Sequence, residues 1–246
     1  MIVDRDGGNT LIKGRLRDGP TGQPRAAGLA ESASQLVEAL GQQPGRPRRC
    51  RLVSVRTEQE TRELVTRLQQ AFGLEVSWAR PAAELAGVRN GYRDYQRLGL
   101  DRWMALVAAW QLCRRACLVL DLGTAVTADF VATDGTHLGG YICPGLPQMR
   151  QQLRNHTSRI RYNSDEARLA LHELRPGQCT AEAVERGCLL MLQGFASLQQ
   201  QQARQSFGEN FDIFLTGGDA GVVVPVLPQA RVVPELVFIG LALACP

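Results

Sequence analysis

A short pattern that occurs twice limits the possible folds of this chain more than any other feature. The first copy begins with the short segment Ile2 to Asp6, continues with a glycine-containing turn and the extended segment Leu11 to Leu16, and ends with the pair Asp18-Gly19. The second copy is the run Leu118 to Leu120, the turn Asp121 to Thr124, an extended segment and the pair Asp134-Gly135. An Asp-Gly pair between extended segments indicates a tight hairpin. Two such units about 115 residues apart indicate a duplicated fold, and the alternative is two hairpins that are alike by chance.

Helical and strand-like segments alternate between the two copies. Residues Ser34 to Leu40 and Glu58 to Phe72 have the apolar spacing of amphipathic helices, and a strand is predicted from Leu52 to Val55. This alternation indicates an α/β protein in which helices pack on mixed sheets. Because the second copy begins near the middle of the chain, we predict two domains, 1–116 and 117–246.

Two longer helices are predicted further along the chain. One covers Leu100 to Arg115, with Asp101 in the N-cap position. The other follows Thr180, and its apolar stripe consists of Val184, Cys188, Met191, Phe195 and Leu198. Such a stripe faces either the core of its own chain or a partner.

Composition argues against several classes of protein. The net charge is only +4, and the densest basic run, residues 46–51, is short and contains proline, which favours a loop over a nucleic-acid surface. The seven cysteines include no Cys-x-x-Cys pair, so we expect reduced thiols. The apolar stretch Leu236 to Cys245 is too short to span a bilayer, and the charged residues 4–6 argue against a signal segment. We therefore expect a cytoplasmic protein that binds neither nucleic acid nor a membrane.

The turn after the first strand contains residue types that bind phosphate. Gly8 lets the backbone approach a phosphate closely because no Cβ intrudes. Asp6 can hold a hydrated Mg²⁺, while Asn9 and Thr10 can donate hydrogen bonds to phosphate oxygens. Lys13 can place a positive charge on the same group. One such turn is ordinary, but its repetition favours a phosphate site.

A second cluster combines Tyr92 with the segment 98–103. Asp101 has two interpretations, a helix N-cap or a general base that takes the proton of a substrate hydroxyl. In the second interpretation Arg102 helps to hold an anionic group of the substrate. These residues alone favour the cap.

Taken together, the motifs resemble those of the type III pantothenate kinases, and the match extends over nearly the whole chain. The joint order of the motifs carries this resemblance: Asp6-x-Gly8-Asn9 with Lys13, Gly99-x-Asp101-Arg102, Asp121-x-Gly123-Thr124, Gly139-Gly140 with Pro144-Gly145, and Thr180.

The resemblance implies a fold and an activity. The fold is α/β, with two duplicated actin-like (ribonuclease H-like) domains, mixed sheets and a nucleotide cleft between them. The segment Leu215 to Asp219 resembles the adenosine turn of the actin, hexokinase and Hsp70 superfamily. The implied activity is transfer of the ATP γ-phosphoryl group to pantothenate, which gives 4′-phosphopantothenate in the first step of coenzyme A biosynthesis.

The resemblance also implies roles for individual residues. ATP with Mg²⁺ is expected at Asp6, Gly7, Gly8, Asn9, Thr10, Lys13 and Thr124, with Asp6 holding the Mg²⁺ through water. Pantothenate is expected at Tyr92, Gly99, Leu100, Asp101, Arg102 and Thr180. Asp101 is then both cap and base, and Asp121 binds a monovalent cation, K⁺ or NH₄⁺. The family forms homodimers, for which the stripe after Thr180 is a candidate interface.

Arg5 departs from the family pattern. It stands where an apolar strand residue is expected, and because a buried unpaired charge is costly, its side chain should reach solvent or a partner. The histidines His137, His156 and His172 are interpreted as surface or turn residues.

Two other functions stay open on the sequence. A kinase for another hydroxylated small molecule would keep the aspartate hairpins but change the cluster around Tyr92. A non-enzymatic transcriptional accessory protein of the same fold would be favoured by loss of Asp101 or Lys13, and both are present.

Overall fold

The structure is a computed structural model that describes residues 2–7, 12–17, 24–30, 32–42 and 48–246. By its internal contacts the chain forms two units. The first contains Met1–Arg114, Gly135–His137 and Glu235–Pro246, and the second contains Arg115–Asp134 and Leu138–Pro234. The C-terminal helix therefore belongs to the first unit, whereas the predicted division assigns it to the second.

Strands and helices alternate in the first part of the chain. They are β1 (Ile2–Gly7), β2 (Ile12–Arg17), β3 (Pro24–Ala30), α1 (Ala33–Gly41), β4 (Arg49–Ser54), α2 (Glu58–Phe72), β5 (Glu75–Trp78), the small hairpin β6 (Glu84–Leu85) and β7 (Val88–Arg89), a 3-10 turn (Tyr95–Arg97) and α3 (Leu100–Cys113). The predicted helices and the predicted strand of this region all overlap these elements.

The second part repeats the alternation. It contains β8 (Cys117–Leu122), β9 (Ala125–Val131), β10 (His137–Pro144), α4 (Leu146–His156), α5 (Ser164–Ala170), α6 (Thr180–Phe207), β11 (Asp212–Thr216), 3-10 turns at Ala220–Val222 and Val224–Val226, β12 (Arg231–Val232) and α7 (Leu236–Ala244).

The two units contain sheets of the same design. The strand orders are β3-β2-β1-β4-β5 and β10-β9-β8-β11-β12. In each sheet three strands that are consecutive in the chain lie side by side, and two later strands are added next to the earliest of them, β1 or β8. Strand β2 is antiparallel to β1, as β9 is to β8. The added strands β4 and β5 run parallel to β1, and β11 and β12 run parallel to β8. This common order confirms the duplicated α/β fold that the repeated hairpins predict.

Local sequence explains where the helices of the first unit begin and end. Thr57 and Glu60 form a capping box at the start of α2, and Gly73 ends it in the left-handed conformation, with φ of 64°. At α3 the N-cap is Gly99, so the predicted N-cap role of Asp101 is wrong. Asp101 is already the second helical residue, where its carboxylate lies beside the backbone N–H groups of the first turn.

Helix α6 does not bury the predicted apolar stripe as one face. Val184 and Cys188 lie in the core of the second unit, but Met191 is 65% exposed and Leu198 is 50% exposed. Besides apolar residues, the buried face of α6 contains small and polar side chains that a count of large apolar residues leaves out. They are Ala181, Glu185, Gln193, Ala196, Gln199 and Ala203. No helix in the described part of the chain is both long and apolar enough to cross a membrane.

A buried carboxylate lies at the centre of the first unit. Asp4 of β1 is fully buried, and its two oxygens accept hydrogen bonds from Arg15 Nε at 2.8 Å and Arg51 Nε at 2.7 Å. Arg15 also pairs with Glu235, which directly precedes α7, and Arg51 Nη1 donates to the carbonyl of Cys245 at 3.4 Å, directly after it. The two arginines that Asp4 holds therefore attach both ends of α7 to the sheet.

Helix α7 also packs closely on α3. A Cβ on Gly240 would collide with the backbone of Met104, so only glycine permits this approach. The position of α3, which begins at the predicted catalytic residues, thus depends on α7 and through it on Asp4.

We expect Asp4→Asn to destabilise the protein by about 3–5 kcal/mol, because it removes the buried carboxylate that Arg15 and Arg51 share, and among the described residues only Arg15 keeps another, Glu235. Urea unfolding followed by circular dichroism measures this change. Glu58→Gln is the matched control, since Glu58 forms an exposed pair with Arg62 at 2.7 Å and its loss should be undetectable. Equal effects of the two substitutions would contradict the role assigned to Asp4.

Candidate active site

The first predicted phosphate turn begins at the end of β1. Asp6 is half-buried and pairs in register with Lys13 of β2, while Gly7 pairs with Ile12. The predicted ligands Gly8, Asn9 and Thr10 lie outside the described residues. The antiparallel β1–β2 pair is the hairpin that the sequence predicts here.

The start of α3 brings together several of the predicted substrate-binding residues. Asp101 is half-buried, and its Oδ1 accepts a hydrogen bond from the backbone N–H of Arg102 at 2.7 Å. A Cβ on Gly99 would lie 2.8 Å from the same Oδ1, so glycine leaves room for the carboxylate. The Asp101 carboxylate thus lies in the first turn of α3, at the positive end of the helix dipole.

Arg102 and Tyr92 form the other part of this cluster. Arg102 is buried, and its Nη1 donates to the Tyr92 hydroxyl at 2.7 Å, with the guanidinium carbon 5.5 Å from the ring centroid. A guanidinium held in this way is suited to a carboxylate or phosphate. The described structure therefore places a carboxylate, a guanidinium and a phenol within one cluster of the first unit.

The second unit contains a corresponding turn around Asp121. Asp121 is half-buried near the end of β8, and Gly123 N donates to Ala125 O at 3.1 Å in the turn that follows. Gly145, before α4, donates from N to Thr124 O at 3.0 Å. Gly217, after β11, has φ of 90°, and a Cβ there would collide with Leu122 O and press on Asp121 Oδ1.

Three glycine-containing turns thus meet at one edge of the second sheet, beside the Asp121 carboxylate. Thr124 is exposed at this edge. Among the described residues there is no group of three or more histidine, cysteine, aspartate or glutamate side chains arranged to hold a metal. Asp121 Oδ1 and the carbonyl oxygen of Leu122 both lie against Gly217, and oxygen ligands suit hard cations.

Thr180, the remaining predicted substrate contact, is exposed and is the first residue of α6. It lies in the second unit, whereas the other predicted substrate contacts lie in the first.

Comparison with known proteins decides the family. A family model described as type III pantothenate kinase matches residues 2–202. The type III pantothenate kinase of Pseudomonas paraeruginosa is 61% identical over all of this chain and 99% of its own length, and that of Ectopseudomonas mendocina is 58% identical over the same shares. The chain belongs to the type III pantothenate kinase family.

Solved structures agree with this family at the level of the fold. A Campylobacter jejuni protein described as a Baf family transcriptional activator superposes with a TM-score of 0.62 at 21% identity, covering 97% of this chain and 94% of that one. The ROK hexokinase of Thermus thermophilus superposes with a TM-score of 0.51 at 15% identity, covering 99% and 97%. This pantothenate kinase family member therefore has the actin-like fold that the resemblance implies.

One residue of the cluster was missed from the sequence. His137, interpreted as a surface or turn residue, is only 1% exposed and lies against Tyr92. Its position just after the Asp134-Gly135 turn gave no sign of burial, because turn residues are ordinarily exposed. His156 and His172 are exposed, as predicted.

Arg5 also differs from expectation. The side chain is 5% exposed, and its Nε has no hydrogen-bond partner among the described residues. Burial lowers the pKa of this guanidinium to about 10. The group fits because its register partner is Gly14, where a Cβ would collide with the guanidinium. Strand β1, which leads to the first predicted phosphate turn, thus accommodates an arginine because the residue opposite it has no side chain.

We expect Gly14→Ala to destabilise the protein by about 1–3 kcal/mol, because the added methyl group overlaps the Arg5 side chain. In an Arg5→Ala background the same substitution should cost less than about 0.5 kcal/mol, which a double-mutant cycle of urea unfolding measures. Gly41→Ala is the control, since a Cβ there meets no atom within 4 Å. Equal costs of Gly14→Ala in both backgrounds would show that Arg5 and Gly14 are not coupled.

Proposed function

We propose that this protein transfers the γ-phosphoryl group of ATP to the primary hydroxyl of pantothenate, giving 4′-phosphopantothenate in the first step of coenzyme A biosynthesis. The support from relatives is full-length identity of 56–61% with proteins named type III pantothenate kinase. The structural observation that carries the proposal is the Asp101, Arg102 and Tyr92 cluster, where a base and an anion-binding group lie side by side.

In this proposal each member of the cluster has a defined task. Asp101 accepts the proton of the pantothenate hydroxyl as the oxygen attacks the γ-phosphorus. Arg102, fixed by the Tyr92 hydroxyl, binds the pantothenate carboxylate. Gly99 and Leu100 place backbone groups beside the substrate, and Thr180 is a further contact.

The residues proposed for ATP neutralise and orient the triphosphate. They are Asp6, Gly7, Gly8, Asn9, Thr10, Lys13 and Thr124. Asp6 is proposed to hold Mg²⁺ through water, and when bound the ion would supply positive charge that offsets the negative charge of the triphosphate. Phosphoryl transfer needs little covalent chemistry from the protein, so such positioning accounts for most of the catalysis.

A monovalent cation, K⁺ or NH₄⁺, is proposed at Asp121. The close approach of Gly217 supports this site, since a glycine with φ of 90° brings backbone oxygens near the carboxylate without a side chain between them. No cluster of three acidic, cysteine or histidine side chains surrounds it within the described residues, which fits a singly charged ion better than a transition metal.

The alternatives have weaker support. The likeness to a Baf family transcriptional activator is at 21% identity and concerns the fold alone. Retention of both Asp101 and Lys13 argues against a protein that has lost catalysis. A cytoplasmic location is also proposed, because coenzyme A biosynthesis is a reaction of intracellular metabolism.

We expect Asp101→Asn to lower kcat by about 10²–10⁴-fold, because the amide cannot accept the proton, while ATP affinity stays within about twofold. A coupled ADP-release assay with pantothenate and MgATP measures kcat, and replacing potassium with sodium tests the cation site. Asp94→Asn is the matched control, since Asp94 is an exposed aspartate that only caps the neighbouring 3-10 turn.

Each arm of this assay has a contrary outcome. ADP release that does not depend on pantothenate would contradict the proposal that pantothenate is the phosphoryl acceptor. Near-normal turnover of Asp101→Asn would contradict the role of Asp101 as the general base. Equal rates in potassium and sodium would contradict a cation site that selects potassium.

We also propose that the protein is a homodimer, with one face of α6 as the interface. Leu190, Met191 and Leu198 on this face are 49%, 65% and 50% exposed. Gly187 and Gly194 lie on the same face, and a Cβ on either would meet no atom within 4 Å. Large apolar side chains that alternate with glycines allow two copies of a helix to approach closely, and a two-fold axis pairs the face with itself.

We expect Met191→Glu to halve the mass measured by light scattering after size-exclusion chromatography, because the charge would be buried between two copies of the helix. Leu169→Glu is the control, since Leu169 is 59% exposed but lies on α5. An unchanged mass for Met191→Glu, or a monomeric parent protein, would exclude this interface.

A further inference from the structure

The turn between β9 and β10 supplies a three-residue segment, Gly135–His137, that belongs to the first unit. It runs parallel to β7, where Arg89 N donates to Gly135 O at 2.9 Å and Arg89 Nη2 donates to Thr136 Oγ1 at 2.7 Å. A Cβ on Gly135 would collide with the carbonyl of Gly87. The segment is thus fitted closely against the residues that lead to Tyr92.

His137 ends this segment and makes the contact with the candidate substrate cluster. The imidazole ring lies nearly parallel to the Tyr92 ring, with centroids 6.0 Å apart and an angle of 14° between the planes. Its Nδ1 accepts from the backbone N–H of Gly91 at 3.4 Å. A Cβ on Gly91 would collide with the carbonyl oxygen of His137, so the two backbones are in direct contact there as well.

Tyr92 is consequently held from two sides. On one side its hydroxyl pairs with Arg102 Nη1 at 2.7 Å, and on the other its ring faces His137. Its own backbone N–H donates to Asn90 Oδ1 at 3.0 Å, which fixes the turn on which it stands. A tyrosine restrained at the backbone, the ring and the hydroxyl has little freedom left to lose when a ligand binds.

We infer that His137 is a positioning residue for the substrate cluster: its ring holds Tyr92 in the orientation that fixes the guanidinium of Arg102. His137 has no proposed contact with substrate, because it is 99% buried behind Tyr92. The acceptor role of Nδ1 requires the neutral imidazole with its proton on Nε2. The inference rests on the proposed function for the identity of the ligand, but the contact with Tyr92 does not depend on it.

Three substitutions separate the contributions of the ring and of Nδ1. His137→Phe keeps an aromatic ring and loses the acceptor, His137→Asn keeps an acceptor near the Nδ1 position and loses the ring, and His137→Ala removes both. His156→Ala is the matched control, because His156 is an exposed histidine at the end of α4.

We expect His137→Ala to raise the KM for pantothenate about tenfold, with kcat and the KM for ATP within about twofold of the parent protein, since binding is lost without loss of the base. His137→Phe should recover most of this loss and His137→Asn little of it. Calorimetric titration with pantothenate checks that the change in KM is a change in affinity. A pantothenate KM that stays within twofold in His137→Ala would overturn the inference. So would parallel losses in kcat and both KM values in His137→Ala and His137→Phe, since these would indicate general structural damage.

A readout without substrate separates this inference from the proposed function. In protein labelled with ¹³C at tyrosine Cζ, the Tyr92 signal is identified by its loss in Tyr92→Phe. This signal should shift in ligand-free His137→Ala and stay in place in His156→Ala. An unmoved signal would overturn the inference whatever the enzyme does. A shifted signal in a protein without pantothenate-dependent turnover would support the contact and reject only the proposed substrate.

Discussion

The Asp4 carboxylate, buried between Arg15 and Arg51, is the interaction on which the first unit depends. Bringing one negative and two positive charges out of water is costly, and the cost is offset only when the geometry and the remaining hydrogen bonds are good. Glu235 supplies a further partner for Arg15, and the carbonyl of Cys245 supplies one for Arg51, whose Nη2 is buried without a hydrogen-bond partner among the described residues. Because Glu235 and Cys245 directly flank α7, the charges of the sheet also fix the C-terminal helix.

The same arrangement places the candidate catalytic residues. Helix α7 packs on α3 through Gly240, and α3 begins with the segment that carries Asp101 and Arg102. A change at Asp4 would therefore reach the start of α3 through α7, by way of packed backbone rather than through a direct contact. In the second unit glycine has a comparable role, since Gly145 and Gly217 allow two turns to close on the Asp121 edge of the sheet.

Much of the fold and part of the site could be predicted from local patterns. The repeated hairpins predicted the duplicated sheets, and apolar spacing predicted α1, α2 and α3. The order of short motifs predicted the family and indicated Asp101, Arg102 and Tyr92 as candidate site residues. The structure places these three residues close together. Each of these signals consists of residue types and their spacing along the chain, so none requires knowledge of which residues meet in space.

The failures concern residues whose environment depends on the path of the backbone and on the packing of neighbouring elements. The N-cap of α3 is Gly99 instead of Asp101, because both residues suit a helix start and only the path of the backbone distinguishes them. The buried face of α6 contains alanine, glutamine and glutamate, which an apolar count leaves out. Arg5 is buried because Gly14 lies opposite it in the next strand.

The sequence by itself therefore determined the α/β duplication, the family and the residue types available for phosphoryl transfer, because periodicity, repeats and motif order can be recognised along the chain without its three-dimensional path. Only the tertiary structure decided which polar groups are buried together. Asp4 meets Arg51 and Glu235 meets Arg15 across 47 and 220 residues, and His137 meets Gly91 across 46. The energy of such contacts depends on desolvation and on distances of a few ångströms, which no local pattern records.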